Sequence, residues 1–335
     1  MARLIAGRLV ALVAVLWALV TIVFVIQTVI PSDPARLMAG QSAPPEVVAA
    51  KRAQLHLDEP LPQQYVRFIG NALQGDLSIS VHTHRPVVDD LGRAIPATLE
   101  LLLAALVITI VLGTLAGLAA ARGTRLGTPV RLVMAAGASV PSFLVGLLAL
   151  LLLYNRLGWI PGAGRLSADV AAPGGPTGLL TVDGLLTLRP RVTADALWHL
   201  LAPAFCIAIA PALVLARTLR STLVTQREAG YVRTARAKAL TERQILLRHM
   251  LRNALNAPLS ILGLEVGVML AGIVVVEAVF SWPGLGLYTS QAITTNDFPA
   301  IAGVTLCIGA VYVIANAVVD VLQLLVDPRL RSRSA

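Results

Sequence analysis

Long apolar runs separated by polar segments dominate the pattern along this chain. An α-helix needs about 20 mostly apolar residues to cross the hydrocarbon core of a bilayer. Six runs meet this requirement and predict transmembrane helices at Leu9–Ile30, Thr98–Ala121, Leu132–Tyr154, Trp198–Leu219, Pro258–Phe280 and Ile301–Val326. The first run is too long for the apolar part of a cleaved signal peptide, so we expect it to be retained.

The composition supports a membrane protein. The chain has 335 residues, of which 56% are hydrophobic and 13% charged, and its mean hydropathy is +0.77. Soluble domains usually carry about 25% charged residues, and charge is costly inside a bilayer. The sequence therefore predicts an all-α polytopic membrane protein with six transmembrane helices. The chain has two cysteines, Cys206 and Cys307, both in apolar runs, and this number is too small for a disulfide framework or a cysteine-based metal site.

The basic residues indicate how the chain is oriented. Nine Lys and Arg residues lie between Arg217 and Arg252, whereas the predicted loops on the other side carry most of the acidic residues. Because basic loops stay in the cytoplasm, we predict that both termini and the loop 221–257 are cytoplasmic. This reading makes the basic charge a marker of topology, and we expect no nucleic-acid binding.

Acidic residues inside the apolar runs are the first candidates for function, because charge there is costly. Glu100 falls in the first turn of its predicted helix, where the helix dipole favours a carboxylate, so we expect a structural role. Asp320 shares a helix face with Asn316 and is expected to hold helices together. Glu265 and Glu277 are candidates to line a pathway, and Glu277 could equally brace the loop that follows it.

Several chemistries are missing from the sequence. The two lysines, Lys51 and Lys238, do not follow a glycine, so the chain lacks the phosphate-binding loop of ATPases. We find no catalytic motif, and the pair His82 and His84 lacks the further ligands that a metal site requires. We therefore predict a protein that is not an enzyme and has no catalytic, cofactor-binding or metal-binding residues of its own.

The loop 221–257 has a pattern of its own. It predicts two short helices, Tyr231–Ala239 and Glu242–Ala254, with Thr241 as the N-cap of the second helix. Four apolar positions of the second helix lie close to one face: Ile245, Leu246, Met250 and Leu251. An all-basic loop could simply bind anionic membrane lipid. Two short helices with apolar anchors instead indicate a docking element for another protein.

Motifs along nearly the whole chain resemble one known family. The loop reads EAGYVRTARAKAL, and further matching stretches are SDPAR, LHLDEPLPQQY, GDLSIS, IPATLEL, VPSF, TGLLTVDGLL, EAVFSWPGLG, NDFP and DPRLR. These stretches resemble the permeases of binding-protein-dependent ABC importers, in particular the first of the two paired permeases of the dipeptide/oligopeptide/nickel family. The resemblance implies the type I permease fold of ABC importers and a location in the bacterial inner membrane.

The resemblance also implies a role for the cytoplasmic loop. In this family the loop forms coupling helices that sit in a groove of a separate ATPase subunit. The positions that carry over are Glu228, Ala229, Tyr231, Arg233, Thr234, Ala235, Arg236, Ala239 and Leu240. The family usually has glycine where this chain has Ala239. Alanine there is expected either to force a right-handed turn or to lengthen the first short helix.

The expected assembly follows from the same resemblance. Residues 1–97 would form the first span and a long outer loop, and residues 98–335 the five-helix permease core. The chain would pair with a second permease, an ATPase that holds ATP and Mg, and an extracytoplasmic solute-binding protein. Di- and oligopeptides are the expected substrates, with nickel, glutathione or haem as alternatives. A stand-alone secondary transporter is the alternative of a different class.

Overall fold

The computed structural model describes residues 2–29, 33–40, 42–121 and 141–326. These residues are almost entirely helical, and their only β-type pairing is a bridge between Ile79 and Pro86. The α-helices are α1 Ala2–Val29, α2 Pro34–Ala39, α3 Pro45–Gln54, α4 Leu61–Leu73, α5 Val87–Ala121, α6 Ser142–Ala149, α7 Leu180–Leu186, α8 Pro190–Gln226, α9 Gly230–Ala237, α10 Glu242–Gln244, α11 Leu251–Ala254, α12 Asn256–Val279, α13 Leu285–Thr294 and α14 Phe298–Val326. Two π-helical segments follow α6 and α10, at Leu150–Arg156 and Ile245–Met250.

Apolar helices account for the predicted spans. Five are long and apolar enough to cross a membrane, at Val10–Val29, Val87–Ala121, Pro190–Gln226, Asn256–Val279 and Phe298–Gln323. A shorter apolar helix, Ser142–Arg156, lies in the third predicted span, whose first residues fall outside the described part of the chain. The predicted all-α polytopic fold is confirmed. The cytoplasmic location of both termini stays a prediction.

The described chain forms two compact units. One comprises Met1–Ile95 and Leu287–Val311, and the other comprises Pro96–Gly286 and Tyr312–Ala335. The predicted division of the chain after residue 97 stays a prediction.

In the first unit, proline and aspartate set the starts of the short helices. Asp33 caps α2 by accepting a hydrogen bond from the Ala35 backbone N–H, and Pro34 occupies the first turn. Proline is well suited to that turn because its missing N–H would have no partner there. Helix α4 packs on α1 through Tyr65, whose hydroxyl lies 2.6 Å from that of Thr21 and whose ring meets Phe24 edge-on.

In the second unit, small residues let two long helices approach closely. A Cβ atom added at Gly113 of α5 would lie 2.9 Å from the Ala212 carbonyl oxygen of α8. One turn further on, a Cβ at Gly117 would lie 3.0 Å from the Ala216 carbonyl oxygen. Small residues spaced four apart drive helix association in membranes because they permit such backbone contact. This packing fixes α8, the helix that leads into the predicted cytoplasmic loop.

Candidate functional site

The segment predicted to couple to an ATPase begins where α8 ends. We call residues 227–254, which follow α8 within the predicted loop 221–257, the coupling segment. The backbone N–H of Ala229 donates to the Gln226 carbonyl at 3.1 Å, and α9 then starts at Gly230. Only Val232 and Ala235 of α9 are buried, so the helix presents its remaining positions to the surroundings. Glu228, the acidic residue of the family motif, is exposed just before it.

The end of α9 departs from the sequence-based expectation. Ala239 neither lengthens the helix, which ends at Ala237, nor adopts a right-handed turn, because its φ is +56°. The Leu240 N–H donates to the Ala235 carbonyl at 3.3 Å, and the Ala239 N–H donates to the Arg236 carbonyl at 2.9 Å. These two bonds form a Schellman motif, which normally has glycine at its left-handed position. The expectation was wrong because the motif satisfies the helix-end carbonyls and thereby offsets the cost of a left-handed alanine.

The next helix starts as predicted. The Thr241 hydroxyl accepts from the Gln244 N–H, and the Gln244 side chain accepts from the Thr241 N–H, so the two form a capping box. Across the turn, Arg236 Nε donates to Glu242 Oε1 at 2.8 Å. The hydrogen bond and charge of Arg236 lower the pKa of the Glu242 carboxyl. Caps and an ion pair therefore define the turn between the two short helices.

The apolar face of the second helix is formed by a π-helix. Ile245 and Leu246 lie five positions before Met250 and Leu251, a spacing that an α-helix would spread over two faces. In the π-helical segment Ile245–Met250, backbone bonds reach five residues along the chain, so positions five apart become neighbours. Ile245, Leu246 and Met250 are all buried, as the shared face predicts.

These apolar residues do not form external anchors. They pack against a core of this same chain made by Leu219, Leu223, Val232, Ala235 and Ala254. Docking through exposed apolar anchors is therefore wrong for this segment. Its exposed surface is mostly polar and carries the arginines, with Leu247 as an exposed aliphatic side chain.

The remaining predicted coupling residues lie on that exposed surface. The Tyr231 hydroxyl donates to Gln226 Oε1 at 2.6 Å, and the Thr234 hydroxyl donates to the Gly230 carbonyl at 3.2 Å. Arg233 reaches back to the Glu228 carbonyl oxygen at 3.4 Å. Their proposed contact with an ATPase stays a prediction.

A buried polar network surrounds Glu277, one of the residues predicted to have a pathway or structural role. Its carboxylate accepts from the Thr98 hydroxyl and from the Gly286 N–H, each at 2.7 Å. Thr98 in turn accepts from the Leu285 N–H at 2.7 Å. Glu277 is fully buried and thus holds the turn 281–286 against α5. This geometry corresponds to the bracing alternative, although a role in the pathway stays a prediction.

Sequence reasoning misplaced Glu100 and missed its partner. Helix α5 begins at Val87, so Glu100 lies in its interior and not in its first turn. Its carboxylate pairs with Arg165 at 2.6 Å and accepts from the Thr181 N–H at 2.7 Å. The Arg165 guanidinium also lies 5.7 Å from the ring centre of Trp282. The signal in the sequence was Arg165, a single arginine in a Gly- and Pro-rich segment. Its pairing with Glu100 becomes visible only in the fold.

Asp183 organises the same loop. It accepts from the Thr177 hydroxyl at 2.7 Å and from the Gly178 N–H at 2.8 Å. The pKa of its carboxyl is lowered because these hydrogen bonds, together with the Arg165 charge, outweigh the opposing effect of burial. Glu100 fastens this loop to α5 through Arg165 and Thr181, and Asp183 holds the loop's own residues 177–178 in place.

The polar stripe on α14 faces α12. Gln323 Nε2 donates to the Ser260 hydroxyl at 3.1 Å, and a Cβ added at Gly263 would lie 3.0 Å from Asn316 Oδ1. Asp320 lies between them on α14 and is half-buried, as is Glu265 on α12. The assignment of these residues to a pathway or to helix packing stays a prediction.

Comparison with known proteins decides the family. Residues 109–332 match the family described as binding-protein-dependent transport system inner membrane component. Residues 1–112 match the corresponding N-terminal family of these membrane components. The chain belongs to this permease family. Its location in the inner membrane and its role as a transport permease, both expected from the sequence, are confirmed.

Named relatives of this permease match it over nearly their full length. It is 40% identical over 321 residues to the probable D,D-dipeptide transport system permease DdpB of Escherichia coli K12, covering 95% of this chain and 94% of the relative. It is 38% identical over 336 residues to the di/tripeptide permease DppB of Pseudomonas aeruginosa UCBPP-PA14, covering 99% of each chain. The glutathione permease GsiC of Escherichia coli O6:H1 is 35% identical over 327 residues, with 97% of each chain covered.

Proposed function

We propose that this permease forms half of the translocation pathway of an ATP-driven importer of di- and oligopeptides. The observation that carries the substrate class is the near full-length similarity to two permeases named for dipeptides and di/tripeptides. Half a pathway cannot enclose a solute, so a second permease completes it. An extracytoplasmic binding protein supplies the peptide and largely sets its specificity.

Exposed apolar helix faces support a partner in the membrane. Leu264, Val268 and Val275 of α12 are 60%, 58% and 43% exposed, and they share one side of that helix. In a bilayer, such a face contacts either lipid or the helices of a neighbouring subunit. A second permease and membrane lipid are the proposed partners of these surfaces.

The coupling segment is the proposed contact with a separate ATPase subunit, which holds the ATP and Mg. Its short helices rest on the core that ends α8, so a displacement of α9 acts on this long span directly. When ATP closes the ATPase subunits, the segment would move with them and switch the spans between inward and outward access. This chain itself needs no cofactor for that role.

The assembly is tested by isolating the tagged permease from its own membranes in mild detergent. We expect an ATPase and a second permease to be recovered with it in fixed proportion. Recovery of this chain alone, together with uptake driven by an ion gradient, would support a stand-alone secondary transporter instead.

The coupling segment is tested in the assembled complex. Glu228→Gln and Arg236→Gln should lower the ATPase activity that is stimulated by loaded binding protein. Glu242→Gln separates the loss of the ion pair from the loss of Arg236 itself. Arg191→Gln, which removes an exposed arginine of the predicted outer loop, serves as the control. Unchanged stimulation in both coupling variants would refute this contact.

Glutathione is the second candidate substrate, because a glutathione permease is 35% identical over 97% of each chain. A competition assay of uptake distinguishes a dipeptide substrate from glutathione. A labelled dipeptide should be displaced by unlabelled dipeptides and not by glutathione. Displacement by glutathione, or by nickel or haem, would reassign the substrate.

A further inference from the structure

A cavity of about 730 Å³ lies in the first unit. Its walls come from the end of α1, from α3 and α4, and from the start of α14. Pockets for small molecules typically measure about 300–1,000 Å³, so this cavity has the size of a binding site. The segment from Asp33 to Ser78 that forms most of it lies on the predicted outer side.

One part of the wall is apolar and aromatic. Phe24 of α1, Phe68 of α4 and Phe298 of α14 all line the cavity, together with Leu61 and Met38. Phe24 and Phe68 contact each other with ring centres 5.8 Å apart. Aromatic walls of this kind bury apolar side chains of a ligand without selecting one residue type.

Another part offers unused amide groups. Gln27, Asn71 and Asn296 line the cavity, and their side chains make no hydrogen bond to the residues that the structure describes. An amide side chain has two donors and an acceptor with two lone pairs. Such groups match the N–H and C=O groups of a peptide backbone, which lose water when they enter a cavity.

The charged groups of the wall balance one another. Arg52 pairs with Asp33 at 2.7 Å. Asp76 adds a second carboxylate to the wall, and Arg67, which pairs with Glu59 outside the wall at 2.9 Å, adds a second guanidinium. A ligand with a single net charge would upset this balance. A zwitterion would not, since its ammonium group can face a carboxylate while its own carboxylate faces a guanidinium.

We propose that this cavity binds a short zwitterionic peptide, with its termini at the charged wall and its side chains at the aromatic wall. The inference rests on the proposed function and adds a peptide site in the permease outside the spans. The permease would thus hold peptide on its outer side independently of the binding protein.

The experiment uses the complete permease–ATPase complex without binding protein, in phosphatidylcholine nanodiscs. Binding of radiolabelled trialanine is measured at equilibrium. We expect saturable binding that falls at least tenfold in Arg52→Gln and in Asp76→Asn. N-acetylated and C-amidated trialanine should each compete at least tenfold less well than the free peptide.

Matched variants separate the cavity from general charge. Lys51→Gln removes a cation from the same helix outside the cavity wall, and Asp89→Asn removes an exposed carboxylate elsewhere in the unit. Both should bind trialanine as the unmodified complex does. Asp76→Asn also guards against misfolding, because an asparagine oxygen can still accept from the Ser78 N–H that Asp76 caps. Equal binding in all four variants would overturn the proposal.

A zwitterionic lipid headgroup shares the chemistry of a free peptide. Native mass spectrometry after extraction from phosphatidylethanolamine-containing membranes tests that source. Retained phosphatidylethanolamine that is lost in Arg52→Gln, with no trialanine binding, would assign the cavity to lipid and overturn the peptide site. Stimulation of the same complex by loaded binding protein reports import separately. If stimulation persists without cavity binding, only this inference fails.

Discussion

The coupling segment and the Glu100–Glu277 network distribute their charges in opposite ways. In the coupling segment the arginines are exposed and the apolar residues are buried, and its Arg236–Glu242 pair is open to solvent. In the network, formed by Glu100, Arg165, Thr98 and Glu277 with the turn 281–286, the polar groups are buried and hydrogen-bonded. Removing one partner is therefore expected to cost much more in the network than in the coupling segment.

The largest effect is expected from breaking the buried pair. Arg165→Met leaves the Glu100 carboxylate buried without its partner, which typically costs about 3–5 kcal/mol. Arg191→Met breaks the exposed pair with Asp169 and should cost no more than about 1 kcal/mol. Thermal unfolding of the detergent-purified permease measures both. Similar melting temperatures for the two variants would abolish the distinction between buried and exposed pairs.

Alanine substitutions at two glycines, Gly286 and Gly230, should give the next largest difference in melting temperature. A Cβ added at Gly286 would lie 2.4 Å from the Cα of Val274. Gly286→Ala must therefore push the backbone of residue 286 away from that of residue 274, which should destabilise the fold by about 3 kcal/mol. At Gly230, the first residue of α9, an added Cβ meets nothing within 4 Å. Gly230→Ala should therefore leave the melting temperature unchanged or raised. Equal stability of the two alanine variants would contradict the close contact at Gly286.

The turn at Ala239 predicts effects of opposite sign. Ala239→Gly should stabilise the coupling segment by about 1 kcal/mol, because glycine adopts a left-handed conformation without strain. Ala237→Gly, at the last residue of α9, should destabilise it by up to about 1 kcal/mol. Hydrogen exchange of the Leu240 amide, which closes the turn, reports this local stability. Slower exchange in Ala237→Gly than in Ala239→Gly would contradict the Schellman turn.

The exposed pair of the coupling segment predicts the smallest effect. Because the pKa of Glu242 is lowered from its usual 4.5 in the folded state, its contribution is present above that pH and is lost as pH falls through the folded pKa. The small difference in melting temperature between the unmodified protein and Glu242→Gln should therefore shrink as pH falls below the usual carboxyl pKa and vanish once pH is below the folded pKa. Salt should reduce it at neutral pH. A difference that grows with acidification would contradict the lowered pKa.

Sequence reasoning succeeded where the signal is local. The spans follow from runs of apolar residues, and the N-cap of the second short helix follows from Thr241 directly before it. It failed where the partner is distant in the chain. Glu100 and Arg165 are 65 residues apart, and Thr98 and Glu277 are 179 residues apart. A pattern of neighbouring residues therefore cannot predict either contact.

The coupling segment shows a second kind of limit. Its apolar positions were visible, but the same pattern fits a face that docks on a partner and a face that packs on its own chain. Only the position of Leu219 and Leu223 on α8 decides between these, because they fill the space that a partner would occupy. Ala239 was likewise visible, but its conformation depends on the hydrogen bonds that close the turn.

The π-helical segment Ile245–Met250 has a consequence for insertions and deletions. A π-helix holds one more residue than an α-helix over a comparable stretch. This segment can therefore lose a residue and still form a continuous helix. Removing the exposed Leu247 would convert it towards α-helix and rotate everything before it relative to α12. The length of this segment therefore sets how α9 is rotated relative to α12. A family member one residue shorter here should carry its buried positions four apart, where this chain has them five apart.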